Sequence, residues 1–343
     1  MNSLAEQIKS AALHMGYEKC GIIKISDMLG YEEKLNERIE RIPEVKPYYE
    51  DFYSFAHPED TYPWAKSIVI CARQYGKYYI PEHLKGMIAK YYLVDSRTDE
   101  NSESFQDSLK FEKHMQDIGI KTATDRKFGI TALRFAALKA GIGLVRKNNF
   151  FYTESGSWVY LEAWLIDKEL ESIEIPTLKK CSEYCNICIK SCPTSSLSEP
   201  YTMNRSSCIS CLTTWEGWDM PNEKYKEQIG DWVYGCDVCQ DVCPMNKNRW
   251  KETEQFPFLR ELGEQISLEK ILKMDYTFLE NVMQHKFWYI QKTDVWKWKT
   301  NAINAMVNDY KQQYREYILD ACNDSNAKVR KMAEWAIQKL NLL

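Results

Sequence analysis

Leu4, Ile8, Ala11 and Met15 fall at helical spacing behind Ser3 and Glu6, a serine and a glutamate three residues apart. That offset caps a helix N-terminus, and Gly16 supplies the stop, so the pattern predicts a helix from residue 4 to about 15. The short apolar runs "CGIIKI" (20–25), "SIVICAR" (67–73) and "WVYLEAWLI" (158–166) predict strands. Helical periodicity returns around 102–118 and 131–140. Strands mixed with helices predict an α/β or α+β domain over residues 1–170. Over 171–255 the periodicity fades and Cys, Pro and Ser dominate, which reads as a loop-rich module with an inorganic core. Residues 256–343 become helical again. The stretch 301–340 resembles one HEAT-type repeat, two antiparallel helices with a polar turn at "NDSN".

With 343 residues, 44% of them hydrophobic, the chain has material for two or three domains with a real core. The 22 Tyr and 11 Trp serve either as core or as walls for a large flat cofactor. Net charge is -4, but the segment from His285 onward carries ten Lys/Arg against six Asp/Glu, so +4 sits at the end and -8 before it. A basic end of this kind suits phosphates, an acidic protein or plain solvent. No run approaches the roughly 18 apolar residues of a membrane span, and "MNSLAEQIKS" lacks an apolar signal core, so a soluble, cytoplasmic protein is expected.

Cysteine changes the picture. Nine of twelve lie between 181 and 243, and metal explains that crowding better than disulfides do in a reducing compartment. "CNICIKSCP" (185–193) and "CDVCQDVCP" (236–244) repeat the same rhythm, closed by proline. In two-cluster ferredoxins the cysteine before the proline crosses to the other [4Fe–4S] cluster. That rule puts Cys181, Cys185, Cys188 and Cys243 on one cluster. It puts Cys192, Cys236 and Cys239 on the other, with a fourth ligand from Cys208 or Cys211. The gap Cys181-x3-Cys185 is one residue longer than the ferredoxin spacing. A pair of zinc sites is the alternative. Cys20, Cys71 and Cys322 sit in apolar stretches and read as small core residues.

"ALKAGIGLVRKNNFFYTESGSWVYLEAWLID" (137–167), "CISCLTTWEG" (208–217) and "IGDWVYGCDVCQDVCPMN" (229–246) resemble, in the same order, the signature of the epoxyqueuosine reductases, whose first motif reads "AGLGWxGKN…GSW". The weaker matches "GMIAKYY" and "KTNAINAM" also fit. The wider superfamily includes cobalamin-dependent reductive dehalogenases. The resemblance implies two [4Fe–4S] clusters, with Cys208 rather than Cys211 as the remaining ligand. It also implies cobalamin with no protein histidine on cobalt, an external low-potential electron donor of ferredoxin or flavodoxin type, and a modified tRNA base as substrate. It points to Gly141, Gly143, Arg146, Lys147, Gly156, Ser157 and Trp158 as cofactor-binding. Gly156 would allow close backbone approach, Trp158 would stack, and the Arg146–Lys147 pair would hold an anionic group.

The sequence departs from the family where protons are handled. The family aspartate of "DSxPxxE" falls, in gapless register, on Lys127 within "TDRKFGITALRF", with Asp125 two residues upstream. The "DYH" after the family's "ARY" is replaced by "YYLVDSR". An acid suits an oxygen leaving group better than a lysine, which holds its proton more tightly. Lys127 and Asp125 are therefore the candidate proton donors. The expectation is a cobalamin-dependent reductase with a reducible substrate, small molecule or tRNA, other than epoxyqueuosine. Two alternatives stand beside it: true tRNA epoxyqueuosine reduction, and electron transfer or corrinoid activation without a substrate of its own.

Overall fold

The structure, a computed structural model, describes residues 3–214 and 224–343. Ser3 Oγ accepts the Glu6 N–H at 3.3 Å and opens α1 (Leu4–His14); Gly16, at φ 82°, ends it. The strands are β1 (Lys19–Lys24), β2 (Ser67–Gln74), β3 (Thr122–Ala123), β4 (Leu144–Val145), β5 (Phe151–Tyr152), β6 (Val159–Ile166), β7 (Leu197–Glu199) and β8 (Thr202–Met203). Among them run α2 (Glu103–Asp117) and α3 (Leu133–Lys139). A four-stranded sheet has the order β1-β2-β6-β3 with every pairing antiparallel, so the domain is α+β.

The sheet is covered on both faces, which is why its central strands read as unbroken apolar runs. Ile23, Ile68, Ile70, Ala72, Ala163 and Leu165 pack against Ala136, Ala137 and Ala140 at α3. The alternate positions, Cys20, Ile22, Val69, Cys71, Trp164 and Ile166, pack against Ile8, Ala12, Phe111 and Met115 of α1 and α2. Cys20 and Cys71 are buried and directly opposite each other across β1 and β2.

Short helices α4 (Ile187–Lys190), α5 (Ile209–Leu212) and α6 (Val238–Asp241) carry the cysteine loops. The C-terminal helices are α7 (Val295–Asn308), α8 (Tyr314–Ala321) and α9 (Ala327–Leu340). The two-helix reading of 301–340 is thus replaced by three helices, because the chain leaves helical geometry at Asp309. Each compositional segment has an apolar cluster of its own, and one further cluster joins all three. Tyr75, Ile88, Trp158 and Tyr160 share one apolar cluster with Tyr234, Phe287 and Trp298, the last stacked on Tyr234 at 4.9 Å.

Gly141 follows α3 at φ 71°, the left-handed exit that glycine tolerates. A Cβ there would lie 1.7 Å from the Glu174 carbonyl oxygen. Gly141→Ala should cost roughly 2 kcal/mol or more and visibly lower the thermal midpoint of the loaded protein. Gly86→Ala, at φ 79° with nothing within 4 Å, should cost less. Equal midpoints for the two variants would contradict the steric argument.

Candidate iron–sulfur centres and the adjoining cavity

The turns of α4 and α6 present the two cysteine repeats, and Cys208 opens α5. Charge coupling sorts the thiols into two sets. Cys188 is pushed up by burial and then by Cys243, Cys181 and Cys185. Cys236 and Cys239 are pushed well above the usual thiol range by burial and then by neighbours that include Cys208 and Cys192. Each set therefore mixes the two repeats. Cys208 is drawn down to about 7, chiefly by a hydrogen bond from Cys211. Thiols raised by burial and mutual repulsion suit a site whose charge a metal cluster compensates, since a bound cation inverts that logic. Residues 215–217, the end of the "CISCLTTWEG" segment, lie outside the described residues.

The residues expected to bind cofactor make contacts within the protein. The Lys147 ammonium, buried, donates to the carbonyls of Ser182, Glu183 and Cys185 at 2.9, 2.8 and 2.9 Å. Arg146, 3% exposed, sets Nη1 3.7 Å from Cys181 Sγ and lies over the Tyr152 ring. Both cations are spent on the first cysteine loop. Ser157 donates through its N–H to Asn246 Oδ1 and through Oγ to Gln240 Oε1, each at 2.8 Å. Gly156, at φ 82°, leaves room for Asn246, whose Oδ1 would be 2.4 Å from a Cβ there. Trp158 meets Trp250 edge-on at 5.2 Å under the Lys90 ammonium. Gly141 and Gly143 lie against backbone, at Glu174 and Tyr152 respectively. Most of the set joins the sheet to the cysteine module, and none of the seven lines the cavity described next.

That cavity, about 530 Å³, lies beside the sheet, walled by Tyr31, Phe52, Phe55, Phe135, Phe150, Phe151 and Tyr289 and by the cations Arg97, Arg126, Lys127 and Arg134. No carboxylate is among its described lining residues. Lys127 lines it, with Nζ 4.6 Å from the Trp288 ring centroid. Asp125 is exposed and outside the lining, and its Oδ1 accepts the N–H groups of Lys127 and Phe128 at 2.9 and 3.0 Å. Arg126 is paired with Glu112 and with Ser108 Oγ. Beneath the loop lies a pair that the sequence reading missed. Burial opposes the Arg97 charge, but Asp95 more than offsets it, and the guanidinium titrates well above its ordinary range. Arg97 also donates to the Lys127 carbonyl at 2.9 Å and to Tyr289 Oη at 3.4 Å. The signal was present in "YYLVDSR", where an acid two positions before an arginine replaces the expected motif.

Paired cysteine repeats docked on an α+β sheet, beside an aromatic and cationic cavity, define a double-cluster iron–sulfur protein. The 4Fe-4S double cluster binding domain family matches residues 180–246. The epoxyqueuosine reductase of Staphylococcus aureus is 34% identical over 237 residues, 67% of this chain and 58% of that protein. That of Leadbetterella byssophila is 31% identical over 272 residues, 75% of this chain and 84% of that protein. A crystal structure of epoxyqueuosine reductase with an epoxyqueuosine-modified tRNA-Tyr stem loop shares the fold. Its TM-score is 0.80 at 24% identity, over 98% of this chain and 90% of that one. A Bacillus subtilis epoxyqueuosine reductase, its catalytic aspartate loop swung out of the active site, matches equally well in fold. The chain belongs to the epoxyqueuosine reductase family.

If Cys208 is a ligand and Cys211 only its hydrogen-bond donor, Cys208→Ala should lose about half of the roughly eight irons of two cubes. Cys211→Ala should keep them. Iron and sulfide analysis after anaerobic reconstitution decides, and the reverse pattern would exchange the two roles.

Proposed function

We propose that this protein reduces epoxyqueuosine in tRNA, using cobalamin and two [4Fe–4S] clusters. The clusters would be held by Cys181, Cys185, Cys188 and Cys243 and by Cys192, Cys208, Cys236 and Cys239. The observation that carries the reading is family membership together with two mixed cysteine sets beside an open cavity. The relatives reverse the order of the two readings drawn from sequence alone, in which another substrate came first.

Cobalamin is a broad flat ring with one phosphate; the cavity's aromatic walls would take part of the ring, and Lys127 and Arg134, the lining cations outside the Arg97–Asp95 and Arg126–Glu112 pairs, would meet its polar groups. When bound, it would supply the low-valent cobalt that delivers electrons to the substrate. Phe52, Phe55 and Phe135 would face the flat ring or base, and Arg134 would meet a phosphate. The Arg97–Asp95 pair anchors the 125–128 loop through the Lys127 carbonyl.

Opening an epoxide leaves an alkoxide that needs a proton from a group within reach. Asp125 faces away in this structure, held by its own turn. Rotation of that loop would bring the carboxyl in, as the swung-out loop of the Bacillus subtilis structure suggests for that enzyme. A second reading keeps the same scaffold and lets Lys127 protonate a different reducible substrate. It is favoured by one observation, that Lys127 and not Asp125 lines the cavity.

Complementation of a strain lacking its own epoxyqueuosine reductase, followed by nucleoside analysis of its tRNA, separates the two. Restored queuosine, lowered about 10²–10⁴-fold by Asp125→Asn and little by Lys127→Met, is the expected result for a catalytic acid. No queuosine from a protein loaded with both clusters and corrinoid would reject the tRNA reading and leave the second.

A further inference from the structure

The Cys181–Cys185–Cys188–Cys243 set lies nearer the surface than its partner: Ser182, Glu183, Tyr184, Asn186 and Ile187 between its cysteines are exposed, whereas Ser207, Ile209, Gly235, Asp237 and Gln240 beside Cys208, Cys236 and Cys239 are buried. The residues flanking this outer set are unusual in two ways. Tyr184, Ile187 and Met245, each beside or within two positions of a cysteine of the set, are 89%, 42% and 46% exposed. Tyr201, 44% exposed, donates its N–H to the carbonyl of Lys147, whose ammonium holds this cysteine loop. Around them stand Lys179, Lys180, Lys190, Lys247 and Arg249, all exposed, against the single acid Glu183 of segments 179–190 and 243–249. None of the five makes an ion pair among the described residues, whereas most lysines elsewhere, such as Lys9, Lys77, Lys85, Lys299 and Lys339, are paired.

We propose that this face is the docking surface for a small acidic one-electron carrier protein of the ferredoxin type, which delivers electrons to the outer cysteine set. The inference rests on the reading that this set holds a [4Fe–4S] cluster. Exposed aromatic and aliphatic side chains give a short-lived complex its dry centre. Unpaired cations around them steer an acidic partner and raise its association rate. The transfer is simple in balance. One electron leaves the reduced carrier and enters the cluster, the carrier is oxidised by one, and no bond or proton moves. Removal of an epoxide oxygen needs two such encounters. A phosphate backbone would also answer to the lysines, but three exposed apolar side chains beside the cluster ligands favour a protein.

The test uses the reconstituted protein and a reduced acidic [2Fe–2S] ferredoxin, mixed by stopped flow while cluster absorbance is followed. Binding of the oxidised carrier is measured separately by calorimetry. The reversals Lys179→Glu with Lys180→Glu, and Lys190→Glu with Lys247→Glu, should each slow carrier-driven reduction and weaken binding at least tenfold at low salt. The difference should largely vanish near 0.5 M salt, where the screening length falls to a few ångströms, roughly 3–5 Å. Reduction by titanium(III) citrate and the iron content should stay unchanged. A wild-type protein without a titanium-reducible cluster would overturn the cluster reading and this proposal with it. A reducible cluster whose carrier kinetics ignore the reversals would overturn the docking face alone. Reversals that weaken binding of a tRNA stem loop while sparing the carrier would make the face an RNA surface and also overturn it.

Discussion

One buried ammonium holds the architecture to its chemistry. Lys147 satisfies three carbonyls of the loop that bears Cys181 and Cys185, and it does so from the segment between β4 and β5. A buried cation must be paired or fully hydrogen-bonded, and three carbonyl acceptors match the three protons of an ammonium. Charged hydrogen bonds are worth about 1.5–3 kcal/mol each, so the loop cannot drift from the sheet without a large penalty. Asn148 continues the seam, donating to the Cys239 carbonyl at 3.0 Å and to Tyr152 Oη at 2.9 Å. Adjacent side chains thus grip both cysteine repeats, which is what two sets of mixed ligands require.

The sheet strands, α1 and the cysteine repeats were legible in the sequence because each depends on local spacing: period two, period 3.6, or a two-residue gap between thiols. The expected sorting of thiols into two mixed sets rests on the same kind of local signal, through the rule for cysteine before proline. What sequence could not show was direction. Arg146 and Lys147 look like an anion-binding pair when read as a string, yet both point into the cysteine loop. Gly156, Ser157 and Trp158 look like a cofactor turn, yet Asn246 and Gln240, more than eighty residues later, claim the turn. Such contacts join distant segments, and no local period encodes them. The cavity walls were missed for the same reason, since Tyr31, Phe55, Arg97 and Tyr289 are scattered over most of the chain.

The Arg97–Asp95 pair shows how a replaced motif can keep a place while changing its part. Fully paired and largely withdrawn from water, it is a poor candidate to exchange a proton itself. It fixes instead the main chain at Lys127 and the hydroxyl of Tyr289. Lys286, whose own charge is disfavoured by burial, reaches the same region through Asp99 and the Asp95 carbonyl. The C-terminal half therefore supports the floor on which the loop near the cavity rests.

The shared apolar cluster has a consequence for biogenesis. Tyr75, Trp158 and Tyr160 belong to the first half of the chain, but Tyr234, Phe287 and Trp298 that cover them are translated later. A nascent chain halted before residue 298 displays part of this aromatic face without its final cover. The sheet and its flanking helices pack within the first 170 residues and can form early, but the shared aromatic cluster closes only once Trp298 has been made. Closure of the whole fold therefore waits for nearly the full polypeptide.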